Sequence, residues 1–241
     1  MRCNRLQFQG RKFRTEHKYY LHLHDYVSLH HRVSSMLRMD QHSVNGDGYC
    51  IRSLYFDGQQ DNALHDKNNG VFIREKYRIR TYNGSDSVIF VERKSKFGEF
   101  VCKESARISR EEYDSILHGD YRCLIGKESL LLKEFYSALE HRGFRPTAIV
   151  DYWRAAYVYE FGNVRITFDK KLSAGTNTFD LFDPNLVLEE AIPVPQTILE
   201  VKFDSFLPDH IRKLVRPDNQ IRSSISKYVI CREVNLKHYK E

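Results

Sequence analysis

The chain lacks the residues that mark several common functional classes. Its five cysteines (Cys3, Cys50, Cys102, Cys123, Cys231) are scattered, odd in number and without a CxxC spacing. That argues against a disulfide framework or a structural zinc site and for reduced thiols. No GxxxxGK[ST] motif occurs, so a nucleotide is not held in a P-loop. No apolar run approaches the roughly 18 residues of a membrane span. The amino-terminal stretch "MRCNRLQFQGRKFR" is polar and basic, without the apolar core of a secretory signal. A soluble, cytoplasmic protein is expected. Glycine and proline are modest at 12 and 6, and no repeat or linker divides the 241 residues. A single domain over 1–241 is the expectation.

What is present is patterned charge. Lys and Arg outnumber Asp and Glu by 38 to 32, a net charge of +6, which favours an anionic partner without naming its class. The stretch "REKYRIRTY" (74–82), read as a strand, sets Arg74, Lys76, Arg78 and Arg80 on one face and Tyr77 and Ile79 on the other. Neighbouring cations on that face lie roughly 7 Å apart and repel by about 2 kcal/mol at an effective dielectric near 20. Either water or an anion belongs there.

The same alternation recurs. It places Arg14, Glu16 and Lys18 together in "FRTEHKYYL", and Glu92, Lys94 and Lys96 in "VIFVERKSK". Lys103, Ser105 and Arg107 align in "EFVCKESARI", Tyr152 and Arg154 in "AIVDYWRAAYVY", Arg165, Thr167 and Asp169 in "VRITFD", and Glu200, Lys202 and Asp204 in "ILEVKFD". "YCIRSLYFD" (49–57) is also a strand, but its faces resist assignment. Helices are expected over 25–40, 109–119, 128–144 and 207–217, the second opened by a capping box of Ser109 and Glu112. Residues 172–195 read as an irregular excursion.

Two arrangements suit about eight such strands: a sandwich with its charges in water, or a barrel with its charges inside. Two features favour the interior. Acidic residues sit two places from basic ones on the same face (Glu16 with Lys18, Glu92 with Lys94, Glu200 with Lys202), and several amphipathic helices need an apolar surface to cover. The expected fold is α+β, an antiparallel eight-stranded tunnel-shaped barrel with a charged interior and helices packed outside. Such an interior suits a phosphate chain, since Lys and Arg bind phosphates and carboxylates hold a divalent metal that bridges phosphate oxygens.

The stretches "FRTEHKYYL", "IRSLYFD", "REKYRIRTY", "FVERKSK", "VDYWRAAYV", "VRITFDKKL", "ILEVKFD" and "SISKYVIC" also follow, in order, the pattern of a known family. From about Phe13 to Glu233 the chain resembles the VTC-type polyphosphate polymerase domain. That domain is one of the triphosphate tunnel metalloenzymes, alongside the CYTH phosphatases and fungal RNA triphosphatases. The resemblance implies transfer of the terminal phosphate of ATP to inorganic polyphosphate, with Mn²⁺ or Mg²⁺ in the tunnel. It assigns the catalytic and phosphate-gripping roles to Lys18, Arg78, Arg80, Lys94, Arg154, Arg165 and Lys227, with Lys103 as a further phosphate contact. Lys202, on the face of Glu200, joins that set. Glu200 is the implied metal ligand, with Glu16 and Glu92 as further candidates. Arg74 and Lys76 lie nearer the ladder's end and are expected to shape the mouth. The regulatory domain and membrane helices of the eukaryotic members are not expected, and the chain resembles the stand-alone bacterial form.

The plainer readings are that the ladder is a solvated face and that the three glutamates only partner nearby lysines. Asp169 is expected to orient Arg165, and the histidines His22, His24, His30 and His31 to lie at the surface. No specific nucleic-acid partner is expected, because Tyr77 and Tyr82 do not obviously share the cations' face. The competing functions are hydrolysis of tripolyphosphate or a nucleoside triphosphate by the same fold, and non-catalytic polyanion binding.

Overall fold

Period-two alternation builds strands, and the computed structural model, which describes residues 7–8, 11–44, 46–193, 195–216 and 221–238, contains eight long ones. They are β1 (Arg14–Leu21), β2 (Tyr49–Asp57), β3 (Ile73–Tyr82), β4 (Ser85–Phe97), β5 (Phe100–Ile108), β6 (Arg145–Tyr159), β7 (Val164–Gly175) and β8 (Thr197–Phe203). Antiparallel pairing runs β1-β8-β7-β6-β2-β3-β4-β5 and returns to β1, which closes a ring. The short strands Arg38–Met39 and Leu188–Glu190 add to β6 and β7, so the excursion after 172 is partly ordered sheet. The ring is not a regular barrel. β1 and β5 share only the pairs Arg14–Val101 and Thr15–Phe100, and register shifts interrupt three other pairings.

The apolar faces point outward under helices. On one side α3 (Arg110–Leu117) and α4 (Leu130–Glu140) cover Leu54, Phe56, Tyr77, Ile79, Ile89 and Val91. Phe135 is central there, with ring centroids 5.1 Å from Phe56 and 5.5 Å from Tyr77. Ser109 and Glu112 form the expected capping box. On the other side α1 (Leu23–Met36) and α5 (Asp209–Leu214) cover Ile166, Phe168, Leu199 and Val201. Of the four histidines, His30 is half-buried and bonds the Tyr157 hydroxyl at 2.9 Å.

Two helices depart from the expected arrangement. The carboxy-terminal α6 (Lys227–His238), with α2 (Asn62–Asn68), packs on the inner face. The charged inner ladder of β7 ends at Asp169, after which the inward residues are Leu172 and Ala174. With Ala148, Val150 and Ile198 they make a small-residue apolar surface that seats Tyr228, Val229, Cys231 and Val234 of α6. Burial of this stripe closes one part of the ring and aims Lys227 into the charged part. Among the described residues no helix is long and apolar enough to cross a membrane.

Candidate anion-binding tunnel

The inner side chains form two linked clusters, each built around a buried carboxylate. Glu200 on β8 lies opposite Lys18 on β1, and Lys202 lies opposite Glu16. Four cations converge on the Glu200 carboxylate: Lys227 at 2.7 Å, Lys202 at 2.8 Å, Lys18 at 3.2 Å and Arg154 at 3.5 Å. Asp169 lies opposite Arg154 and receives its guanidinium through two bonds of 2.6 and 2.7 Å, plus Lys227 at 2.6 Å. Across the ring, Glu92 takes Arg78 at 2.6 Å, Lys103 at 2.8 Å and Arg80 at 3.5 Å. Glu16 takes Lys94 at 2.7 Å. Tyr152 joins the clusters, since its hydroxyl accepts from Arg80 at 3.3 Å while Arg154 and Lys227 lie over its ring.

The structure therefore brings together eight of the nine expected phosphate contacts, Lys18, Arg78, Arg80, Lys94, Lys103, Arg154, Lys202 and Lys227, around Glu16, Glu92, Asp169 and Glu200. Arg165, the ninth, stands apart on Asp40 at 2.7 Å and the Tyr49 hydroxyl at 2.8 Å. Asp169 orients Arg154 rather than Arg165. The reason is register: Arg154 is directly across the sheet, whereas Arg165 is four positions along the same strand, about 13 Å away. Eight cations against four carboxylates leave an excess of four positive charges.

Burial and charge pull on these groups in opposite directions. Burial alone would raise the Glu200 and Glu92 carboxyls, but the surrounding cations hold both well below the usual carboxylate range. Burial opposes charge on Lys227, and Asp169 and Glu200 overcome it, so its pKa is raised. For Lys94 and Lys202 burial wins, and each falls to about 8 despite its glutamate partners. The ring thus holds its guanidiniums charged and keeps two ammonium groups poised near neutrality.

The carboxylates do not form a protein-only metal site. Among the described residues no group of three His, Cys, Asp or Glu converges. Cations hold both buried glutamates, three at Glu92 and four at Glu200, so cation count does not separate them. Glu200 is the better fit: across the β7–β8 pairing it faces Thr167, whose buried hydroxyl has no hydrogen-bond partner among the described residues. A carboxylate and a hydroxyl are the hard oxygen donors that Mg²⁺ and Mn²⁺ accept when substrate phosphates complete the shell.

Several contributors were not legible. Tyr55 accepts from Arg78 at 2.7 Å and Tyr49 from Arg165, both from β2, whose two faces are each largely buried and so show no clean alternation. Tyr82, two positions past Arg80, turns inward beside Tyr49 by alternation itself, with the β2–β3 register unbroken, so it does share the cations' face, against the expectation. Tyrosines thus do share the cations' face, but Tyr49, Tyr55 and Tyr152 are buried and present no open stacking surface for bases. Asp40 carries no sequence signal at all. Gly48 has φ +119° and lets its backbone press against the Arg154 carbonyl, where a Cβ would collide.

The VTC domain family model matches residues 13–235. Among solved structures, a protein described as a "putative adenylate cyclase" from Bacillus halodurans is 13% identical, covers 86% of this chain and 87% of its own, and superposes with a TM-score of 0.50. A second protein so described, from Vibrio parahaemolyticus, is 12% identical over 84% of each chain, with a TM-score of 0.43. At such identities the Bacillus protein shares the fold alone, and the Vibrio protein is a looser likeness. No curated protein sequence matches. With the family pattern spanning nearly every strand of the ring and both ends of its charged ladder, the chain belongs to the VTC domain family.

Proposed function

We propose that the protein transfers the γ-phosphoryl group of ATP to the end of an inorganic polyphosphate chain. The observation that carries this reading is the excess of four positive charges in an enclosed ring whose cations are held in place by carboxylates on neighbouring strands. A phosphate chain supplies the missing negative charge. Preorganised donors of this kind stabilise a transferring phosphoryl group without reorganising during reaction.

In this reading Arg78, Arg80, Lys94, Lys103 and Lys202 bind phosphates, and Arg154 and Lys227, oriented by Asp169, face the reacting end with Lys18. Arg165 acts from its separate position beside Tyr49. A terminal phosphate oxygen of the chain attacks the γ-phosphorus, the bond to the β-phosphate oxygen breaks, and ADP leaves. Glu200, with the Thr167 hydroxyl across the strand pair, would hold Mn²⁺ or Mg²⁺, which would supply further charge neutralisation when bound. Glu92 serves as a counter-charge for the arginines instead.

Incubation with ATP and Mn²⁺, followed by gel separation, tests the reading: long phosphate chains are expected. Free phosphate without chains would assign the ring to hydrolysis of tripolyphosphate or a nucleoside triphosphate. Binding without any turnover would leave a polyanion-binding module.

A further inference from the structure

A second set of cations lies beyond the carboxylate-bound ones. Cross-strand register places Arg74 opposite Lys96 and Lys76 opposite Lys94. Like charges in direct opposition destabilise a sheet. Lys94 is relieved by Glu16, but the others are not. Among the described residues no carboxylate comes within ion-pair distance of Lys67, Arg74, Lys76 or Lys96. Arg74 donates to the carbonyls of Asp66 and Lys67 at 3.4 and 3.2 Å, at the end of α2. Lys76 reaches the Ser226 hydroxyl at 3.2 Å and lies over the Tyr228 ring at 4.5 Å, beside the start of α6. Burial lowers the pKa of Lys67, Lys76 and Lys96; Arg74 and Lys18 lower each further, and Lys76 falls to about 7. Glu233, Asp57 and Glu16 act on them only at longer range.

These four side chains come from α2, β3 and β4 and sit where β3 begins and β4 ends. Arg74 and Arg78 lie four positions apart on β3, about 13 Å of strand. A triphosphate group held at Arg78 and Arg80 falls short of Arg74 and of Lys96 opposite it, whereas a longer chain passes Lys76 and reaches them. We propose that Lys67, Arg74, Lys76 and Lys96 form a rim subsite for the phosphates of a linear polyphosphate beyond those gripped inside the ring. The inference rests on the phosphate-chain reading of the tunnel. It also gives the rim a selectivity role, since only chains longer than a triphosphate gain from it.

The test compares tripolyphosphate with medium-chain polyphosphate binding to the full chain and to its Lys67→Gln/Lys96→Gln variant. Both lysines are half-buried and bear no ion pair among the described residues, so the variant keeps the fold's contacts. Tripolyphosphate affinity is expected to stay within about twofold, while medium-chain affinity falls about fivefold and its salt slope shrinks by about 1.4. Equal losses on both ligands, or no loss on the longer one, would overturn the rim subsite. Wild-type protein that binds both ligands with equal affinity refutes the rim and leaves the tunnel standing. Protein that binds neither refutes both.

Discussion

Replacing Glu92 with glutamine removes one charge from a carboxylate that is 1% exposed and contacts Arg78, Arg80 and Lys103. The two arginines are themselves enclosed, with side-chain exposures of 13% and 7%, and among the described residues neither pairs with another carboxylate. They keep their charge, because guanidiniums do not deprotonate in proteins. Breaking one side of a buried pair costs about 3–5 kcal/mol, since the remaining charge is left uncompensated. In a chain of this length that lowers Tm by about 10 °C. A bound phosphate chain supplies anionic oxygens to the same guanidiniums, so the deficit should shrink by about half or more once tripolyphosphate saturates the protein. Thermal unfolding of both proteins, each with and without tripolyphosphate, measures this directly. A deficit below about 1 kcal/mol, typical of a surface pair, would show that Glu92 is not the arginines' counter-charge. A full deficit that tripolyphosphate leaves untouched would show that the ligand does not bind these arginines.

Four further outcomes are expected. Lys76, Lys94 and Lys202 have folded-state pKa values lowered to about 7, 8 and 8, below their unfolded value. The unfolded chain therefore binds more protons above those values, and stability of the free protein should rise from about pH 7 toward pH 10. Polyphosphate binding at pH 8 should then take up on the order of one proton, read by calorimetry in buffers of different ionisation enthalpy; no uptake would contradict the lowered lysines. Glu200→Gln should abolish turnover while polyphosphate binding survives, and robust turnover in the variant would remove Glu200 from the mechanism. Phe135→Ala, at a fully buried position between Phe56 and Tyr77, should cost about 3–5 kcal/mol in denaturant unfolding without altering polyphosphate affinity in the protein that remains folded.

The sequence made the ring legible wherever one strand face was wet or charged and the other apolar. β3 is the clearest case: Tyr77 and Ile79 pack outward and Arg78 and Arg80 inward, as alternation requires. β2 was opaque because Tyr49, Ile51 and Tyr55 are buried on its inner side while Leu54 and Phe56 are buried on its outer side. α6 was missed for a related reason: its apolar stripe seats on small inner-face residues, not on the outer surface that amphipathic helices were expected to cover. Of the chemistry, residue type and facing were readable and pairing was not. Asp169 met Arg154 through register across β6 and β7, which a single strand's alternation does not reveal.

The joint between β1 and β5 has a mechanical consequence. Backbone pairing there stops after Thr15, while β1 continues to bond β8 as far as Leu21. Beyond the stop, the contact between β1 and the β4 side of the wall is made by Glu16 and Lys94. The seam is thus held by two backbone-paired positions and the Glu16–Lys94 ion pair, and past them the edge of β1 is bonded by a loop segment instead, the Ser223 amide donating to the Lys18 carbonyl at 2.9 Å. At this one seam the wall is closed more by side chains and a loop than by a continuous backbone ladder.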